Sequence, residues 1–436
     1  MSRTARGMHL NKSGKELFAG LIAAVLVLPS VCHGGAGVLP KGVYNVNFGV
    51  YRYGDISERY NQNGDRESLA ADYNGPLDSS VFTALQLIEA SPLGALLGGN
   101  AATFGDAVVD FEYRYRNAEL KLKYGVTDNF QVELEIPYFD ARNRVSTNLD
   151  TTTANIGINP LWETGADPFG SPFIPLATPG VSATPLTTDN ILDLVSGGLD
   201  VNNNGTIDVP GFGFTRFETW KDSGIGDIVV SGKYKFHDEG DWVMAGKGGV
   251  RLGTGDVNDP DNLVDLGFGG GQTDILFGFA ADYRGIDKWL LGLELGYNWQ
   301  LPDEEVLRVP AAVDQPVTLD REKVDRDLGD VVSLALSGFY TINPQWSAGL
   351  TYKASKKFED DVSGTMGFNY ASLESETEVE DQSVTVELTY STVQRFLQQK
   401  AKLPYSVGLA YRNRFAGKDN INDSYYVAAI FNLYFK

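Results

Sequence analysis

Histidine is the side chain most often used for proton transfer near neutral pH, and this chain of 436 residues carries three. His9 and His33 fall in an N-terminal segment built like an export signal, which leaves His237 beside Asp238 and Glu239. A Ser–His pair would define a hydrolase, but His237 sits where a short turn is expected and reads as a solvated turn residue. The one cysteine, Cys32, also lies in the N-terminal segment. With one histidine and no cysteine beyond it, the chain lacks a ligand set for zinc or haem, and the expectation is a protein that is not an enzyme.

Oxygen ligands are better represented. The run DVNNNGTID places Asp200, Asn202, Asn204, Thr206 (through its carbonyl) and Asp208 at the ligand spacing of a calcium loop, with Gly205 at the sharp turn. Gly211 stands where that loop needs a bidentate glutamate, so Glu218 or another loop would have to supply it. The segment is a candidate Ca2+ loop, weighed against an Asn/Gly turn, and no other cofactor is expected. A second acidic run, Asp256, Asn258, Asp259, Asp261 and Asp265, reads as a solvated surface meeting divalent cations that bridge lipopolysaccharide. The glycines at 267–271 do not make a phosphate loop, and the segment Gly240–Lys247 is one residue too long for one, with Gly248 replacing its Ser/Thr.

The elements that must carry these residues follow from hydropathy. Arg3, Arg6, Lys12 and Lys15 precede an apolar run from Leu17 to Leu28 that ends at Pro29, before small residues at 34–37. A bilayer-spanning helix needs ~20 apolar residues, so this shorter run reads as the core of a signal peptide over residues 1–34. Pro29, Ser30 and Val31 do not provide the residues that precede a lipidated cysteine at Cys32. Removing the four cations and Glu16 takes the formal charge from −21 to −24, and such an acidic chain offers no basic patch for nucleic acid.

From residue 43 to the end the dominant pattern has period two. Phe130, Val132, Leu134, Ile136 and Tyr138 share one face against Gln131, Glu133 and Glu135. Leu291, Leu293, Leu295, Tyr297 and Trp299 likewise oppose Glu294, Asn298 and Gln300. No later stretch is apolar enough for a spanning helix, whereas strands with one lipid-facing and one wet face suit a barrel. Short connections alternate with long polar ones. The fold class is therefore all-β: an antiparallel transmembrane outer-membrane β-barrel of about 12 strands (12–14), forming a single domain over residues 35–436. Strands are expected near 43–53, 107–126, 130–145, 225–236, 242–253, 273–283, 288–300, 329–341, 345–357, 382–393, 404–415 and 424–436. In the second, the outward set changes parity between Tyr115 and Leu120, and a β-bulge near Asn117 would absorb the change.

Two long outer loops are expected, 54–106 and 146–223. The first contains an apolar, helix-like stretch from Val81 to Leu97, which would fold into the lumen as plug or gate or lie at the membrane surface, or else pack as a helix on the rim. On this map the lumen candidates are Glu112, Arg114, Lys121, Lys123, Glu133, Glu135, Lys233, Lys235, Lys247, Arg251, Glu294 and Arg412, with Lys353 and Glu387. Most read as ion pairs filling a narrow barrel, a minority as a polar constriction. Tyr425, Val427, Ala429, Phe431, Leu433 and Phe435 alternate to the end, as in closing strands read by barrel assembly machinery, although Lys436 follows the last aromatic.

The stretches AELKLKYGVTDNFQVELEIPY at 118–138, SGIGDIVVSGKYKF at 223–236 and GGVRLGTGD at 248–256 resemble an outer-membrane family labelled for the MetA pathway of phenol degradation. That family is related in general architecture to FadL-type channels for hydrophobic compounds. Leu252-Gly253-Thr254 departs from its pattern, which more often has Pro before the Thr, and no binding residues carry over. The resemblance implies passive movement of small, hydrophobic or aromatic molecules across the outer membrane of a Gram-negative bacterium, by a monomer in contact with lipid and lipopolysaccharide. The alternative is a non-transporting surface protein that uses its acidic loops for adhesion or calcium-dependent contact.

Overall fold

Period-two alternation gives each strand a wet and a dry face, and in the computed structural model the strands close on themselves. The structure describes residues 35–310, 317–422 and 425–436; the signal-peptide expectation for residues 1–34 lies outside them. The wall is built from β1 (Tyr44–Tyr53), β2 (Thr103–Gly125), β3 (Phe130–Asp150), β4 (Ile228–Glu239), β5 (Trp242–Leu252) and β6 (Asp274–Tyr283). It continues through β7 (Trp289–Gln300), β8 (Val331–Asn343), β9 (Trp346–Lys357), β10 (Val379–Ser391), β11 (Tyr405–Lys418) and β12 (Tyr425–Phe435). Each strand pairs with its sequence neighbours, and the ring closes antiparallel where β1 meets β12, from Tyr44 opposite Phe435 to Tyr53 opposite Tyr426. The expected twelve-stranded barrel is thus present. Among the described residues no helix is long and apolar enough to cross a membrane.

Both ends of the wall, Tyr44 and Phe435, lie with the short turns at 126–129, 240–241, 284–288 and 344–345, which marks that end as periplasmic. The long loops gather at the other end. Trp242, Trp289 and Trp346 open β5, β7 and β9 with exposed rings, beside Tyr283, Tyr340 and Tyr390 of the adjoining strands at centroid separations of 4.8, 5.2 and 5.2 Å. This is an aromatic girdle. A second ring level includes Phe277, Tyr297 and Trp299, also exposed. The rise from Trp289 to Trp299 along a tilted strand is about 25 Å, the height of an outer-membrane apolar band.

The β2–β3 hairpin corrects one expectation. β2 has 23 residues and β3 has 21, although ~9–11 suffice to cross the bilayer. Their pairing runs without a break from Asp106 opposite Asp150 to Gly125 opposite Gln131, so there is no bulge at Asn117. The inward set is constant: Val109, Phe111, Tyr113, Tyr115, Asn117, Glu119 and Lys121 are all buried. The polarity of the faces reverses, not the parity. Above the lipid the outward face meets water and becomes charged, while the inward face packs under loops and becomes aromatic.

The outer loops form two layers. Helix α1 (Ala84–Ala90) and a 3-10 turn at Pro92–Leu97 bury Leu85, Ile88 and Leu97. Their partners are Phe104 at the outer end of β2, Phe173, Leu186 and Leu194, the last from helix α2 (Thr188–Val195). The Val81–Leu97 stretch is therefore a rim cap and not a lumenal plug, because the loop 151–227 offers an apolar surface that covers it outside the lumen. Under this cap, Ile56, Leu69 and Ala70 of the first outer loop, with Val264, Leu266 and Phe268 of the third (residues 253–273), pack on Val109, Phe111, Tyr113, Tyr115 and Phe139.

Candidate functional site

Charged side chains line the inside of the barrel, some paired across strands and some along one strand. Lys121 Nζ lies 3.2 Å from Glu119 and 3.2 Å from Glu135, and all three are buried. Lys123 Nζ is 3.4 Å from Glu133, and Arg251 pairs at 2.7 Å with the fully buried Asp274. Lys235 donates to Asp238 at 2.6 Å. Lys247 points inward in register with Val243 and Ala245 yet is exposed, so it faces open space in the lumen. Glu294 and Arg412 also lie on the inner face. Glu387 accepts the Thr389 hydroxyl, and Lys353 lies opposite Ser383 on β10.

Two candidates are misplaced by the sequence map. Glu112 and Arg114 face outward above the lipid, where Arg114 pairs with Asp55 and with Glu112, both at 3.0 Å, and Arg144 pairs with Glu112 at 3.2 Å. The reason is the unbroken register of β2. Glu119 was missed although it stands in phase with Lys121 and Lys123.

The periplasmic mouth is narrowed by the segment at residues 35–39. Ala36 is fully buried against Val243, Ala245 and Ala280, all on the inner wall. Its N–H donates to Asp282 Oδ2 at 3.1 Å, Lys233 Nζ donates to the Gly35 carbonyl at 2.9 Å, and the Leu39 N–H donates to Gln131 Oε1 at 2.8 Å. Polar lumen groups thus satisfy a backbone that would otherwise be desolvated without partners.

At the outer mouth the third outer loop packs inward against the wall. Asp227 clamps its base, accepting the N–H groups of Thr254, Gly255 and Gly270. Arg308 and Arg321 hold Asp261 at 2.8 and 2.6 Å, Arg326 donates to the Gly270 carbonyl, and Tyr73 donates to the Leu263 carbonyl. This acidic loop is accordingly a braced lid and not the solvated surface its composition suggested. Burial pushes the Asp265 carboxyl above the usual range, opposed by N–H bonds from Asp259 and Leu266.

Between the lid and the ion pairs lies a cavity of about 400 Å3. One wall is an aromatic series in which Tyr53 lies 5.2 Å from Tyr115, Tyr115 5.5 Å from Phe139, and Phe139 5.6 Å from Phe268 of the lid, with the buried Tyr426 behind it, 5.4 Å from Tyr53. The Tyr115–Phe139 and Phe139–Phe268 pairs are stacked. Arg412 caps one end, its guanidinium carbon 4.8 Å from the Tyr426 ring centre, a cation–π contact. The Arg412 Nε and the Tyr115 hydroxyl are buried without a hydrogen-bond partner. Below, the Tyr51 hydroxyl donates to Glu119 at 3.2 Å and links the aromatic wall to the ion pairs. On the rim, burial and nearby Glu376 push the Asp419 carboxyl up to about 7, against Lys418 and Arg59. Of these residues only Arg412 was read from sequence as lumenal; Tyr115 was assigned to lipid.

The Asp200–Asp208 turn lies in the outer loops. Asp200 accepts the N–H groups of Asn204 at 3.0 Å and Gly205 at 2.6 Å, and Asp208 accepts that of Val201 at 2.7 Å. Glu163, from a separate stretch of the same loop, accepts the side-chain amide of Asn202 at 3.1 Å. Among the described residues no group of three His, Cys, Asp or Glu side chains gathers as a metal ion would require.

A closed twelve-stranded wall, two aromatic girdles and a lumen narrowed at both ends define an outer-membrane β-barrel of a Gram-negative bacterium. The family described as "Putative MetA-pathway of phenol degradation" matches residues 178–417, and the chain belongs to it. The crystal structure of an outer-membrane channel from Pseudomonas putida F1 shares the fold, with a TM-score of 0.51 at 12% identity over 93% of this chain and 100% of that one. A FadL homologue from Pseudomonas aeruginosa gives a TM-score of 0.34 at 10% identity over 90% and 89% of the two chains. The toluene transporter TodX of P. putida gives 0.31 at 10% identity over 91% and 90%; these two lower scores carry no structural argument. No curated protein matches the chain.

Proposed function

We propose that this barrel is a passive conduit for small aromatic or otherwise apolar molecules, acting as a monomer, with the third outer loop as its gate. The observation that carries the reading is the aromatic wall from Tyr53 to Phe268, which lines the cavity and ends at the lid. A concave site of a few hundred Å3 with an aromatic wall suits a small ligand, and charged side chains such as Arg251, Asp381 and Arg414 line the rest of this cavity. Aromatic rings attract another ring face or edge at each step, so a planar solute can follow the wall inward toward Glu119 and Lys121. The alternating last strand supports insertion by barrel assembly machinery.

The test is transport by refolded protein in liposomes, with phenol and toluene as aromatic solutes and glucose as a polar control. Flux of the aromatic solutes is expected to exceed that of glucose and to fall several-fold in Tyr115→Ala/Phe139→Ala. Deleting residues 256–270 is expected to enlarge single-channel conductance in planar bilayers. A barrel that stays silent and impermeable with and without the lid would overturn the proposal in favour of a surface protein.

A further inference from the structure

In a chain of net charge −21, six cations stand together on one outward face. Arg52 of β1 lies directly opposite Arg116 of β2. Arg114 of β2 lies opposite Arg142 of β3, which in turn lies opposite Lys221 on the short edge strand Trp220–Ile225. Arg144 completes the group, and all six are exposed. Cross-strand neighbours stand ~5 Å apart, and like charges directly opposite are destabilising. The carboxylates on this face do not cancel them: Glu112 and Asp55 are taken by Arg114 and Arg144, and Asp140 lies opposite Arg116 without an ion pair. Among the described residues Arg52, Arg116, Arg142 and Lys221 have no ion-pair partner.

The height of the group selects its partner. Val50 precedes Arg52 on the same face, Tyr138 precedes Arg142, and both are exposed apolar side chains at the upper edge of the lipid-facing band. The cations therefore sit at headgroup level of the outer leaflet. We propose that Arg52, Arg116, Arg142 and Lys221 form a binding site for the phosphate groups of lipid A, the phosphorylated glycolipid of that leaflet. Guanidinium groups bind phosphate oxygens bidentately, and a bound dianion removes the mutual repulsion of the row.

The full-length processed protein in detergent, titrated with bisphosphorylated lipid A, dephosphorylated lipid A or inorganic phosphate and read by thermal unfolding and native mass spectrometry, tests this. Bisphosphorylated lipid A is expected to raise Tm and add one lipid mass, with at least tenfold weaker binding in Arg52→Gln/Arg116→Gln/Arg142→Gln. Arg284→Gln, at the periplasmic end, is expected to bind as the parent does. Should the triple variant fail to fold, Arg142→Gln/Lys221→Gln is expected to show a smaller loss in the same direction. Equal binding of dephosphorylated lipid, an equal shift from inorganic phosphate alone, or undiminished binding by a folded variant would overturn the proposal.

Discussion

Lys121 and Arg114 carry the same charge on the same strand, yet their surroundings give them different weight. Lys121 is buried between Glu119 and Glu135, so removing it leaves two carboxylates desolvated without a cation. Breaking such a buried set is expected to cost about 3 kcal/mol or more. Arg114 has a half-exposed side chain, at 49%, and exposed pairs contribute roughly 1 kcal/mol or less. Lys121→Ala should therefore shift the denaturant midpoint of the refolded barrel well below that of Arg114→Ala. Equal shifts in equilibrium unfolding would mean that the lumen admits enough water to solvate the glutamates. From sequence both residues look alike, since each is a cation alternating with apolar neighbours; what separates them is their height along the barrel.

The strands were legible almost residue by residue, because a wall exposed to lipid on one side and water on the other enforces alternation at every position. The outer half of β2 and β3 was not, since alternation persists there while the meaning of each face reverses. Helix α1 shows the same limit. Its apolar face, Leu85 and Ile88, demanded cover, and the sequence offered the lumen and the rim equally. The cover is supplied by Phe104, Leu186 and Leu194, from segments far apart in the chain. Leu85→Asp is accordingly expected to loosen the rim cap, seen as faster proteolysis within residues 151–227, while single-channel conductance stays close to that of the parent. A large conductance increase would return this helix to the role of gate.

In the whole molecule, two constrictions lie in series: residues 35–39 at the periplasmic mouth and the third outer loop at the other. Resistances in series add, so removing one leaves the other limiting the current. Deleting residues 35–39 together with 256–270 should raise conductance by more than the two single deletions combined; simple additivity would indicate separate paths through the barrel. Neither constriction is visible in local sequence. The lid looks like a solvated acidic loop until Arg308 and Arg321 reach Asp261, and in the calcium-like turn Asp200 and Asp208 also accept the turn's own N–H groups. By itself the sequence determined the barrel, its twelve strands and most inward positions, because each is a local consequence of period-two hydropathy against a fixed bilayer thickness. Only the tertiary structure decided which loops enter the lumen, which cover the rim, and where the aromatic wall meets Arg412. Those outcomes depend on contacts between segments tens to hundreds of residues apart, and no local pattern encodes them.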